Sequence, residues 1–259
     1  MELYVCVKSV PKSDAIVFDE STGALKREGS DAQLNPSDLV ALEAALRCAD
    51  RFNASVTAVC MGPYSARAAL REALSMGVKE AYLLNSPAFA GADVLATSYT
   101  LSTFFLSLDS FDIIFCGKHS ADGDTGQTGA ALAEWLNIPH AGTVCEIETI
   151  EDGKIFVKQL QVGYTQHLCL KTPCLLVVEN DIFYPRIPSL NDVLRARKHS
   201  IKIKTEADIN NIDIARCGFK GSATQVKHIY VPQNRRRGQM LRSEEYDCLL
   251  PVLKGVKNA

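Results

Sequence analysis

No apolar run in this 259-residue chain approaches the roughly 20 residues that a membrane-crossing helix needs, so no membrane insertion is expected. An excess of one charge is missing too. Lys and Arg number 28 against 30 Asp and Glu, a formal net charge of -2, and no global positive field gathers nucleic acid. Zinc spacing is absent: the nine cysteines are odd in number and dispersed, and several, such as Cys6, Cys60 and Cys116, sit inside apolar runs. The closest pair, Cys169 and Cys174, is spaced CxxxxC rather than CxxC. They read as reduced core residues, with no metal site. The histidines, His119, His140, His167, His199 and His228, form no triad or ligand set. The start MELYVCVK enters strand-like sequence with no basic leader, and the expected location is cytoplasmic. Walker A, GxGxxG, GxSxG and HExxH signatures are all lacking.

What is present is an ordinary globular composition, 47% hydrophobic and 22% charged, enough for one main domain with a sizeable core. Short apolar runs at Leu3 to Val7, Val56 to Met61, Ala81 to Leu84 and Ile113 to Cys116 predict strands. Helices are predicted between them. Asn35-Pro36-Ser37-Asp38 supplies a capping residue, a first-turn proline and a first-turn acid before the stripe Leu39, Leu42, Leu46, Ala49. Ser65 to Met76 carries a second stripe closed by Gly77, a third helix runs from near Asp93 through Phe105, and a fourth follows Asp124. This alternation predicts an α/β fold with a doubly wound, mainly parallel sheet, whose ligands sit beyond the carboxyl ends of the strands.

Further on, Glu146 to Glu148, Ile155 to Leu160, His167 to Leu170 and Cys174 to Val178 predict short strands, with Asp152-Gly153 as a hairpin turn. They form an antiparallel extension. After a short basic helix from Leu190 to Arg197, periodicity weakens from His199, and the remainder reads as an extended arm carrying Arg235-Arg236-Arg237.

The richest stretch chemically is Gly117-Lys118-His119-Ser120-Ala121-Asp122-Gly123-Asp124-Thr125-Gly126-Gln127-Thr128-Gly129, between a predicted strand and a predicted helix. Glycines admit a ligand to the backbone, a helix N-terminus favours an anion, and Thr125 and Thr128 add hydroxyls. Asp122 and Asp124 would cap and orient the turn. On loop chemistry alone, a Gly/Asp-rich turn that only caps a helix is the favoured reading.

This loop resembles the nucleotide loop of electron-transfer flavoprotein beta subunits. Other segments resemble that family in the same order: Asn35-Pro36-Ser37-Asp38, Cys60-Met61-Gly62-Pro63, Leu70 to Gly77, Phe89 to Ser98, and Pro185-Arg186 followed by Ser189-Leu190 and Arg195 to Lys198. The resemblance implies an adenine nucleotide alpha-hydrolase-like fold in two parts. These are a nucleotide-binding domain over 1–198 and a C-terminal arm over 199–259 that contacts an alpha subunit, in part through Arg235, Arg236 and Arg237. It implies adenosine against Cys6, Asn35 to Asp38 and Met61, with phosphates on Gly117, Lys118 and the loop from Ala121 to Thr128.

Asp93-Val94-Leu95-Ala96-Thr97-Ser98 and the tail Gly218 to Val226 resemble the two-FAD branch of the family, with Asp93 and Thr97 on the flavin side; Asp93 reads equally as the cap of its own helix. Val94 and Ala223 depart from that branch, whose usual residues there are threonine and proline. The implied cofactor is FAD with NADH as a donor, the alternative being AMP in a one-FAD shuttle. Implied partners are the alpha subunit, an acyl-CoA dehydrogenase meeting Ile182, Phe183 and Tyr184 of a recognition loop at about 180–190, and ferredoxin or flavodoxin as acceptor. No protein side chain is assigned catalysis. Two other classes stand beside this reading: a stand-alone adenine-nucleotide regulator of the universal-stress kind, and an adenylate-transferring enzyme.

Overall fold

The computed structural model describes residues 1–11, 17–18, 25–26, 32–225 and 249. Arg235, Arg236 and Arg237 lie outside the described residues. The compact unit described below runs from Met1 to Lys227.

The unit begins with β1 (Glu2–Cys6), β2 (Ser9–Pro11), β3 (Val17–Phe18), β4 (Leu25–Lys26), β5 (Ala32–Leu34), α1 (Pro36–Phe52), β6 (Ser55–Met61), α2 (Arg67–Met76) and β7 (Glu80–Leu84). Then come α3 (Val94–Leu106), β8 (Ile113–Gly117), α4 (Thr128–Leu136), β9 (His140–Glu151), β10 (Lys154–Gln161), β11 (Tyr164–Lys171) and β12 (Cys174–Val178). α5 (Leu190–Lys198), β13 (Lys202–Lys204) and the single turn α6 (Gly218–Gly221) follow. The main sheet is nine-stranded in the order β11-β10-β9-β12-β8-β1-β6-β7-β13. Its strands run parallel from β9 across to β13, and β10 and β11 extend it antiparallel.

Helices cover both faces, so central strands such as Cys174–Val178 are buried at every position. One core joins α1 and α2 to the sheet through Leu42, Leu46, Leu70 and Leu74. The other joins α3 and α4 through Phe104, Phe105 and Leu132. α2 ends at Gly77, whose φ of +121° favours glycine. Asp152 and Gly153, at φ +49° and +69°, make the tight turn between β9 and β10.

Three expectations change. Asn35 stands at the N-cap of α1 but makes no capping hydrogen bond; its amide is used by another loop, described below. The strand expected at Glu146 to Glu148 is the middle of a twelve-residue strand, because Thr143, at φ +47°, kinks the chain without ending its pairing. Residues after His199 do not all leave the body, since Lys202–Lys204 pairs with Tyr82–Leu84 as a further parallel strand. That segment reads as polar because its lysines flank one isoleucine at a sheet edge.

Candidate functional site

From β1 the chain winds outward through β6 and β7, then returns to the other side of β1 to build β8, β12 and β9. The reversal leaves a crevice outside the carboxyl ends of β1 and β8, the place where open α/β sheets take ligands. Cys6 ends β1 half-buried, in register with Cys116 of β8 and Val59 of β6. A hydrogen bond with Cys116, together with burial, pushes the Cys6 thiol well up, so it is no nucleophile. Met61, also half-buried, ends β6.

The N-terminus of α1 is pressed into this crevice. Pro36 takes the first helical position exposed, while Asn35, Ser37 and Asp38 are buried. A Cβ at Gly117 would come 2.3 Å from Asp38 Oδ1 and 2.8 Å from Asp38 N, so only glycine lets β8 end against this helix. Asp38 Oδ2 accepts the Lys8 N–H at 2.8 Å. Burial pushes the Asp38 carboxyl up to about 7, against the donors of Lys8, Asn35 and Gly117. Asn35 bridges outward, Nδ2 donating to His119 O at 2.8 Å and Oδ1 accepting Ala121 N–H at 3.0 Å. The residue that would have capped its own helix thus holds the glycine-rich loop against it.

Within that loop, Lys8 Nζ lies 2.7 Å from Asp122 Oδ1. Burial alone would raise Asp122, but Lys8 and Ser120 hold its carboxyl below the usual range. Asp124 and Gly126 adopt φ of +49° and +63°. The backbone from Ala121 to Gln127, with Gly123 and Thr125, is exposed, and Thr128 is half-buried at the start of α4. Gln127 at its N-cap gives no side-chain cap, and no side chain among the described residues takes the first amides of α4, which suit an anion. A Cβ at Gly129 would come 2.6 Å from Val177 Cγ2, which seats α4 tightly on β12. A cleft of about 300 Å³ flanks the loop, lined in part by Lys118, His119, Asp124, Gly126, His140 and Thr143. Buried His119 Nδ1 and Asn180 Oδ1 have no hydrogen-bond partner among the described residues. Exposed amides, a glycine cradle and orphaned polar atoms fit an adenine nucleotide with its phosphates on the loop.

Asp93 and Thr97 are used differently. Asp93 caps α3 through Ala96 N–H at 3.0 Å, and its other oxygen accepts Thr224 N–H and Oγ1–H at 2.8 and 2.9 Å. The Asp93 N–H donates to Ser222 Oγ at 2.9 Å. Glycine is obligatory in this latch: a Cβ at Gly218, where φ is +54°, would lie 2.2 Å from Ala88 O. Half-buried Thr97 continues the first turn of α3. No hydrogen bond among the described residues joins Asp93 or Thr97 to the crevice group.

The loop after β12 carries the remaining candidates. Ile182 and Phe183 pack onto the core beneath α1, and Arg47 lies 4.3 Å over the Phe183 ring. Tyr184 and Ile187 are 93% and 94% exposed, so the outward apolar residues of this loop are these two and not Ile182. Arg186 fixes the loop: its Nε donates to buried Glu43 Oε2 at 2.8 Å and its Nη2 to Asp50 Oδ2 at 2.9 Å. Burial would raise Glu43, but Arg186 and Arg47 hold it low. Sequence reasoning missed Lys8, Glu43, Glu179 and Asn180. For Glu43 the signal was a lone acid on the apolar side of a helix; for the other three it was their position one or two residues past a strand end.

Fold and crevice together define a doubly wound α/β protein with an anion-receptive site at its switch point. Comparison with known proteins makes the class specific. Residues 22–209 match the electron transfer flavoprotein domain. The chain is 40% identical over 93% of its length to the electron transfer flavoprotein subunit beta of Thermoanaerobacterium thermosaccharolyticum, covering 92% of that protein. It is 39% identical over 99% of its length to the subunit of the same name from Clostridium acetobutylicum, covering 98% of it. The caffeyl-CoA reductase-Etf complex subunit CarD of Acetobacterium woodii is 37% identical over 93% of the chain and 92% of its own length. This chain belongs to the electron-transfer flavoprotein beta subunit and FixA family. It is an electron-transfer subunit.

Proposed function

We propose that this chain holds FAD, adenosine and phosphates included, in the crevice between β1, β6 and β8. As half of a heterodimer it passes electrons between NADH or an acyl-CoA dehydrogenase and a low-potential acceptor such as ferredoxin or flavodoxin. The observation that carries this reading is the junction of Asn35, Asp38 and Gly117 with the loop from Lys118 to Thr128, which leaves free amides at α4. A bound flavin would supply the hydride and single-electron chemistry. The chain's own residues supply position: the amides of Thr128 and Gly129 face the phosphates, Asn35 holds the loop closed, and Cys6 and Met61 floor the adenosine.

AMP in the same crevice is the second reading, and Asp93 favours it, because its carboxylate is already committed to Ala96 and Thr224. The loop of residues 180–190 would present Tyr184 and Ile187 to the dehydrogenase. The arm would lie on the alpha subunit from His228 onward, and its deletion should weaken the heterodimer. Cofactor stoichiometry decides between the two nucleotides. The chain is co-expressed with its alpha subunit, the complex is denatured, and FAD and AMP are quantified. Two FAD per heterodimer supports the first reading, one FAD with one AMP the second, and no nucleotide in this subunit overturns both.

A further inference from the structure

The loops that follow β8 and β12 leave neighbouring strands, Gly117 and Val178 being register partners, and side chains join them just past that point. Lys118 Nζ lies 2.9 and 3.0 Å from the two carboxylate oxygens of Glu179. Burial pushes the Glu179 carboxyl up, but the hydrogen bond and charge of Lys118 outweigh it and hold it low. One residue further on, Asn180 Nδ2 lies 3.2 Å from His119 Nε2. Across the ring, His119 Nδ1 lies 2.8 Å from Asp124 Oδ1, and neither this nitrogen nor Asn180 Oδ1, both buried, makes a hydrogen bond among the described residues.

With His119 Nδ1 and Asn180 Oδ1 both unpaired among the described residues, a second hydrogen-bonding state is open to this contact. With the proton on Nδ1, the ring accepts from the Asn180 amide through Nε2. With the proton on Nε2, the ring donates to Asn180 Oδ1 once the amide turns over, and Nδ1 becomes an acceptor on the side of the nucleotide loop. A donor or acceptor arriving there therefore selects the tautomer. The tautomer then sets the amide at the root of the next loop.

We propose that His119 and Asn180, braced by Lys118 and Glu179, couple nucleotide occupancy of the loop at 118–127 to the ordering of the loop at 181–188. This rests on the function proposed above and adds a means of regulating it. His119 and Asn180 are positioning residues, since neither carries the electrons. Linkage makes the coupling reciprocal: a dehydrogenase that orders the second loop tightens nucleotide binding by the same factor.

The test is hydrogen exchange followed by mass spectrometry on the full heterodimer, stripped of nucleotide and then refilled with FAD or with AMP. Refilling should slow exchange over residues 181–188 by roughly five-fold or more. Asn180→Asp presents only acceptors to the ring. It should exchange at one rate whether stripped of nucleotide or refilled to the occupancy of the wild type. Glu179→Gln, which weakens the brace and keeps its shape, should shrink the response. Wild-type exchange that ignores a nucleotide shown to be bound, or an Asn180→Asp loop that responds as the wild type does, overturns the coupling and leaves the proposed function standing. Failure of both nucleotides to bind overturns the two together.

Discussion

The loops at 118–127 and 179–188 hold equivalent places, each beyond the carboxyl end of a central parallel strand, yet they are built oppositely. The first is polar and held from several sides by Asn35, Lys8 and the close approach of Gly117 to Asp38. Its backbone faces outward. The second tucks Ile182 and Phe183 inward, is fastened chiefly through Arg186, and turns Tyr184 and Ile187 to the surface. One topology thus yields two kinds of reception: main-chain amides that suit a small anion, and apolar side chains that suit a protein surface.

The largest effect should come from Gly117→Ala, because its Cβ would meet backbone at 2.7 Å from Ser37 C and 2.8 Å from Asp38 N. Overpacking against main chain costs about 3 kcal/mol, and nucleotide content and urea midpoint should fall together. If content survives, the first loop does not depend on its packing against α1. Glu43→Ala strands Arg186, which keeps a third of its side chain in solvent. A loss of about 2 kcal/mol is expected, with slower transfer to the dehydrogenase and unchanged nucleotide.

Titration separates the loops by sign. The Asp38 pKa is raised, so its contribution is fully present below its unfolded value of about 3.9 and lost as pH rises through about 7. Glu43 and Glu179 are depressed and act oppositely, stabilising above their unfolded value of about 4.3 and losing that contribution as pH falls through their folded values. Between pH 5 and 7.5 the slope therefore belongs to Asp38. Urea titrations should show about 2 to 3 kcal/mol lost over that range, and a flat profile in Asp38→Asn. The smallest change in stability should follow Tyr184→Ser with Ile187→Ser, within about 0.5 kcal/mol, while transfer to the dehydrogenase slows. Ile182→Ala should instead cost about 1 kcal/mol or more through packing. Equal transfer rates in the double variant would remove the second loop from docking.

Local chemistry was legible wherever one segment decided its own structure. The Pro36 start of α1, the Gly77 stop of α2, the Asp93 cap and the Asp152-Gly153 turn are all written in adjacent residues. Contacts across the sheet were not. Asn35 fits an N-cap by every local rule, and only the arrival of the loop more than 80 residues later gives its amide better partners. Ile182 has the apolarity of a docking residue, but how far it faces out depends on the core cluster it packs against, built from segments distant in the chain. Gly218 and Gly221 carried a family pattern whose physical reason, contact with Ala88 and Arg216 backbone, exists only in the folded chain.

β13 has a consequence for the life of the chain before it meets any other. A parallel sheet ending at β7 would present five residues, Glu80–Leu84, with unpaired amides and carbonyls, a template on which another copy could stack. Lys202-Ile203-Lys204 covers that rim with the shortest useful strand, and Lys202 is clamped to Glu80 at 2.6 Å. The segment that looked least structured ends the sheet in a short, positively charged edge, the kind on which a further strand stacks poorly.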